Sequence, residues 1–237
     1  MRNVLRELPK AFTLILAMIA LPGSSAAARI AEIAKFDPIS AYGGRIAFDV
    51  LRNVTPVGFH TVNFEKDGRE VLVSSHMKLS LEMLFITLYR LDYISVSCWR
   101  DGQITGVNVS VDDNGTPFSL SAVVPTDGVG LRVQAGADTF FASQPVYPTD
   151  HWNPGVLNQI RVLNTLTGRI NQVGIEQLGR QTVPTERGSV EATHYAYNGV
   201  LKTEVWYDDF GRWVKIRFMG TDGSTIEYRC RRCQDAP

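Results

Sequence analysis

Four histidines (His60, His76, His151, His194) and three cysteines (Cys98, Cys230, Cys233) carry most of the chemistry this chain offers. His60 and His76 flank a turn signal at Asp67-Gly68. A hairpin register set by attraction of Glu65 to Arg69, or of Lys66 to Glu70, places both imidazoles on one face, roughly 5–8 Å apart. Two neutral imidazoles so placed could hold a metal. No further ligand stands near them except Glu70, far along the strand. The expectation is therefore no metal site and two polar residues on a sheet surface.

Asp150-His151-Trp152-Asn153 is the densest polar cluster. A hydrolase would use His151 as a base oriented by Asp150, with a Ser or Thr from elsewhere. Neighbouring Asp and His side chains rarely face each other, and no Gly-x-Ser-x-Gly elbow is present. The segment reads instead as a loop that buries Trp152, and no catalytic residue is assigned.

Cys230-Arg-Arg-Cys233 has a redox spacing but follows the last predicted strand rather than opening a helix, where a thiol pKa is lowered. Arg231 and Arg232 could lower it instead. In an extended chain the two Cα atoms stand about 10 Å apart, beyond disulfide reach. A bridge from Cys98 to either of them, unpaired tail thiols, and a redox or metal role all stay open. The acid pairs Asp112-Asp113 and Asp208-Asp209 precede Gly-containing turns without calcium-loop spacing and read as solvated turns. No P-loop, dinucleotide fingerprint or His-Glu-x-x-His occurs, so no cofactor is expected.

The elements that must position these groups are mostly strands. The chain has 237 residues, 24 Lys+Arg against 24 Asp+Glu, and 44% hydrophobic residues. That is globular composition, and zero net charge argues against a nucleic-acid partner. Residues 1–28 read as a secretory signal peptide: Arg2, Arg6 and Lys10, an apolar run Ala11 to Leu21, then Pro22-Gly23 and small residues to Ala28. The run is about half the ~20 residues a bilayer span needs. Its removal leaves 21 bases against 23 acids, a net charge of −2. No Cys lies in residues 1–97, so a lipoprotein anchor is not expected. The predicted location is the periplasm or the cell exterior, where disulfides persist.

After an entry segment at 29–44, Asp-Gly turn signals recur between runs rich in β-branched and aromatic residues. They predict one antiparallel β domain over 45–231, followed by a tail at 232–237. The strands fall near 45–53, 57–66, 69–79, 84–92, 93–101, 103–112, 117–125, 129–135 and 138–142. A second set falls near 169–179, 190–198, 201–208, 212–219 and 224–231. Between the sets, Asn153 before Pro154 reads as a helix cap, and Val156, Ile160 and Leu163 fall at helical spacing up to Thr167-Gly168. One amphipathic helix near 154–166, within an insert at 153–167, would have to bury its face against the sheet. The fold class expected is mostly β: a strongly curved antiparallel sheet, or half-barrel, covered by that helix.

Asp49-Val-Leu-Arg-Asn53, Leu84-Phe-Ile-Thr-Leu-Tyr-Arg90, Asp150-His-Trp-Asn-Pro154, Arg161 to Gly168 and Val205-Trp-Tyr-Asp-Asp209 with Gly211-Arg-Trp-Val214 together resemble a family of exported proteobacterial proteins known only as a domain of unknown function. By architecture that family is similar to the curved-sheet periplasmic lipoprotein carrier of the outer-membrane sorting pathway. The resemblance implies a half-barrel with an apolar cavity and implies no activity. The function expected is non-enzymatic binding of an apolar molecule or envelope component, such as a lipid, acyl chain or lipoprotein. Leu84, Ile86 and Leu88, from the most apolar stretch after the leader, and Trp152 are the expected lining. The alternatives are an envelope interaction protein without a ligand, a hydrolase around Asp150 and His151, and a thiol protein.

Overall fold

Among the described residues, fifteen strands follow one another along the chain and join into one sheet. The computed structural model describes residues 36–84, 86–126, 128 and 130–234. The expected signal peptide and residues 29–35 of the entry segment lie outside the described residues. A short helix α1 (Pro38–Tyr42), capped by Asp37, precedes strand β1 (Arg45–Arg52). Then come β2 (Thr55–Asp67), β3 (Glu70–Met83), β4 (Ile86–Arg100), β5 (Gln103–Asp113), β6 (Thr116–Val123), β7 (Leu131–Ala135) and β8 (Asp138–Ala142). The second half holds β9 (Tyr147–Pro148), β10 (Arg161–Asn164), β11 (Arg169–Thr185), β12 (Gly188–Gly199), β13 (Thr203–Asp208), β14 (Trp213–Met219) and β15 (Thr225–Arg232).

The order across the sheet is β8-β7-β6-β5-β4-β3-β2-β1-β15-β14-β13-β12-β11-β10-β9. Two meanders thus meet at an antiparallel seam between β1 and β15. The β9–β10 pair is parallel and the other pairings are antiparallel. The sheet does not close into a barrel, but it is strongly curved. Tyr228 of β15 donates to Met77 Sδ of β3 at 2.8 Å although β1 and β2 lie between them. In a flat sheet strands three places apart would stand about 14 Å apart.

Most expected hairpins form where the turn residues stand, and alternation is clearest in β7, where Leu131, Val133 and Ala135 are buried and Arg132 and Gln134 exposed. Two boundaries differ. The strands expected at 84–92 and 93–101 are one strand, β4, because the chain reverses at Leu84, whose φ is +49°, and no turn residue interrupts 92–93. In the β11–β12 hairpin, β11 runs six residues past its expected end and β12 starts two residues early, the pairing carried past Gly179 by a bulge.

The helix expected near 154–166 is not there. Pro154–Asn158 makes a single 3₁₀ turn, capped by Asn153 accepting from the Gly155 N–H at 2.9 Å. The chain then extends into β10 and pairs with β11. Ile160, a pillar of the helical reading, is 75% exposed, while consecutive Val162 and Leu163 are both buried. Gly155 packs so tightly on the Tyr147 ring that an added Cβ would fall 2.6 Å from its hydroxyl. What lies under the curved sheet is therefore this irregular segment, with Trp152 at its centre. Trp152 packs edge-on against Phe64 and Trp99, and its carbonyl accepts from the Tyr42 hydroxyl at 2.9 Å.

Candidate functional site

A cavity of about 230 Å³ lies between the sheet's inner face and this segment. Strands β2, β3, β4, β12, β13, β14 and β15 supply its walls, through residues such as His60, Ser75, Tyr93, Tyr197, Ile216, Phe218 and Tyr228. The segment before β10 contributes Asp150 and His151. The lining contains no Lys and no Arg.

Each tyrosine hydroxyl is tied to the protein. Tyr93 donates to Thr165 Oγ1 at 3.0 Å, Tyr228 to Met77 Sδ, and Tyr197 Oη lies 3.4 Å from His151 Nδ1. Burial pushes the Tyr93 hydroxyl up to about 12 and the hydroxyls of Tyr197 and Tyr228 upward as well. Nearby Tyr207 donates to the His151 carbonyl at 2.7 Å, holding that residue at φ +41°. These bonds fix the rings in place against the irregular segment.

Both cavity histidines are neutral. Burial pulls His60 down to about 3, helped by the neighbouring His151 and His76. Burial alone pulls His151 down to about 4. His60 Nε2 lies 2.7 Å from Ser75 Oγ, a contact for which the spacing of the two residues gives no signal. Its Nδ1 is buried without a partner. A Ser–His pair of this kind has no carboxylate orienting the ring, and an imidazole held near 3 is a weak proton acceptor. His151 faces a tyrosine rather than a Ser or Thr.

Asp150 receives a hydrogen bond from Trp152 Nε1 at 3.1 Å. Burial pushes its carboxyl up to about 7, the indole bond only partly offsetting it. Its charge in turn raises the hydroxyls of Tyr93, Tyr197 and Tyr207, which places it among those rings.

Several expectations are corrected. His60 and His76 do not share a face. The two-residue turn at Gly68-Arg69 pairs Asp67 with Glu70, so His60 stands opposite Met77 and Thr61 opposite His76. His60 points inward, whereas His76 is half-exposed beside Asp92 at 3.1 Å. Leu84, Ile86 and Leu88 do not line the cavity: they are 82%, 64% and 53% exposed at the β3–β4 hairpin end. Trp152 is 2% exposed and belongs to the core that floors the cavity. Asp112 and Asp208 cap their turns, but Asp208 is buried and paired with Arg212 at 2.7 Å rather than solvated.

Cys230 and Cys233 are disulfide-bonded to each other, with Cα atoms 5.7 Å apart, and Cys98 is free. The extended geometry assumed for the pair fails because β15 ends at Arg232 and the chain turns inward, burying Cys233 completely. The Glu186 carboxylate at the β11–β12 tip accepts from the Cys233 and Gln234 N–H groups at 3.1 and 3.3 Å. Glu186, Cys230 and Cys233 could together offer three metal ligands, but the sulfurs are committed to each other.

His194 sits on the other face of the sheet. It stacks on Trp206 with centroids 4.1 Å apart, Nε2 lies 2.8 Å from Glu204 and Nδ1 3.3 Å from Gln181. Arg217 completes the cluster through Glu204 at 2.6 Å.

The family model for a domain of unknown function, DUF6134, matches residues 48–231. No curated protein sequence matches the chain at a significant level. Among solved structures, the chain is similar to a β-barrel-like protein of domain of unknown function DUF1849 from Brucella abortus. The TM-score is 0.58 at 9% identity, over 81% of this chain and 97% of that one. At that identity the likeness concerns the fold.

Proposed function

The chain belongs to the DUF6134 family of unknown function, and from that premise we propose that it is a non-enzymatic binding protein that seats a small, largely apolar molecule under its curved sheet. The observation that carries this reading is the cavity, with Trp213, Ile216, Phe218, Leu201 and the tyrosine rings on its walls beside a polar set that includes His60, Ser75, Asp150 and His151. Its volume of about 230 Å³ matches roughly seven or eight waters. That suits one short chain or one ring system and is below the 300–1,000 Å³ or so typical of drug-sized ligands. If the ligand is a lipid or a lipoprotein, only one apolar part of it enters. The absence of a carboxylate behind the His60–Ser75 pair supports binding over hydrolysis.

We also propose export to the cell envelope. The leader-like residues 1–28 and the Cys230–Cys233 disulfide support it.

Native mass spectrometry of the protein taken gently from its host, followed by organic extraction, tests both readings. A stoichiometric small-molecule adduct on a chain cleaved near residue 28 is expected. A bare, full-length chain whose extracts match those of a control protein would overturn them. Leu201→Trp, which fills the cavity, should remove the adduct while leaving the melting temperature unchanged or raised.

A further inference from the structure

The cavity holds one group that can carry a charge at neutral pH, the Asp150 carboxyl, and nothing among the described residues neutralises it. No ion pair reaches it, and no Lys or Arg lines the cavity. The groups facing it are His151 on its own segment, Tyr93 from β4, Tyr197 from β12 and Tyr207 from β13, all uncharged at neutral pH. Other carboxylates in the molecule are treated differently: Asp208 has Arg212, Glu204 has Arg217 and Glu227 has Lys215.

Tyr93 and Tyr197 stand near enough to Asp150 to feel its charge, and the rings of Tyr228 and Trp213 complete the electron-rich part of the lining. Their faces attract cations most strongly where water is excluded. The tyrosine hydroxyls are bound to the protein, so a ligand would meet ring surface. A second unpaired group, His60 Nδ1, is buried in the same wall with its residue 7% exposed. A buried polar atom left without a partner is unfavourable by about 1–3 kcal/mol, and a ligand group could relieve it.

We propose that the cavity takes a small organic cation, an ammonium or quaternary ammonium group seated among the rings of Tyr93, Tyr197, Tyr228 and Trp213, with the Asp150 carboxylate as its counter-ion. This rests on the binding reading above and names the ligand's chemistry. The cation favours ionised Asp150, so affinity should rise with pH through the region of 7 and level off above it.

Calorimetric titration of the whole mature chain with two matched probe pairs tests this. The pairs are choline against its neutral isostere 3,3-dimethyl-1-butanol, and butylammonium against 1-butanol. At pH 8.5 at least one cation should bind tenfold or more tightly than its neutral twin. Its affinity should fall about tenfold per unit once the pH is below 7. Asp150→Asn should bring the twins together. Equal or tighter binding of the neutral twins would overturn the cation and leave the cavity reading standing. No binding by any of the four overturns the cation. In that case a native-mass adduct of neutral or acidic chemistry would still sustain the binding reading, and its absence would remove both. The wild-type comparison of charged and neutral probes decides the matter even if Asp150→Asn does not fold.

Discussion

His194 and His60 are about equally buried, at 5% and 7% exposure, on opposite faces of the same sheet. His194 has a partner on each nitrogen and an indole stacked on its ring, and its cluster ends in the Glu204–Arg217 ion pair. His60 has one partner and one orphaned nitrogen, and lies against a cavity with an uncompensated carboxyl. A polar group buried for structure has its hydrogen-bonding capacity met, because leaving it unmet destabilises the fold. The group left unmet beside the cavity is one that the proposed ligand would satisfy.

The largest effect should be on the outer cluster. Trp206→Ala removes a fully buried indole and the ring under His194, and should destabilise by about 3–5 kcal/mol in urea unfolding. A loss under 1 kcal/mol would dissolve the contrast between the faces.

Asp150→Asn should act in the opposite direction, on a scale set by pH. The folded chain holds the Asp150 proton up to about pH 7, whereas an unfolded chain releases it near 3.8. The Asp150 contribution to stability therefore falls as pH rises from about 4 to 7, and this penalty stays in full above 7. At pH 8 the variant should be more stable than wild type, on the order of 2–4 kcal/mol, converging with it near pH 4. His60 and His151 have the opposite sign. Their folded values, about 3 and 4, lie below the ordinary 6.5, so their contribution is present above 6.5 and lost as pH falls toward 4 and 3. Between pH 4.5 and 6 wild type should lose stability on acidification with about one net proton, and Asp150→Asn with about two. Parallel curves would refute the assignment.

His194→Phe keeps a ring but removes the bonds to Glu204 and Gln181, which retain Arg217 and Trp206 as partners, and should be destabilising by about 2 kcal/mol. His60→Phe with Ser75→Ala removes both members of a half-satisfied pair. It should change stability by less than about 1 kcal/mol, in either direction. If this double variant loses as much as His194→Phe, the orphaned nitrogen is not what distinguishes the two histidines.

The meander was legible because its signals are local: Asp-Gly turns and alternating burial specify hairpins one at a time. The segment at 153–167 misled because Val156, Ile160 and Leu163 mimic a helical stripe. Ile160 faces outward, and Val162 and Leu163 are both buried, one on either side of β10. The His60–His76 face was misjudged through one residue of register, which in a strand inverts every side chain. Leu84, Ile86 and Leu88 stood out by hydropathy, but they lie at a hairpin end, where nothing covers them. Asp150 and His151 were visible as chemistry-bearing residues, although not as members of a cavity. Tyr93, Tyr197 and Tyr228 were not, since they sit on three different strands and only the curvature of the sheet gathers them.

The seam between β1 and β15 bears on how the molecule assembles. Ala47 pairs with Arg232, so the middle of the sheet joins residues from nearly opposite ends of the described chain. Each meander can form from neighbouring hairpins, but their union demands the largest loop closure in the fold, an entropically slow event. Until β15 arrives, β1 and β14 are long bare edges, the kind that recruit strands from other chains. Among the described strands, β15 leaves the ribosome last. Without β15 the two half-sheets cannot join, and a chain truncated before Thr225 should remain in that state and self-associate.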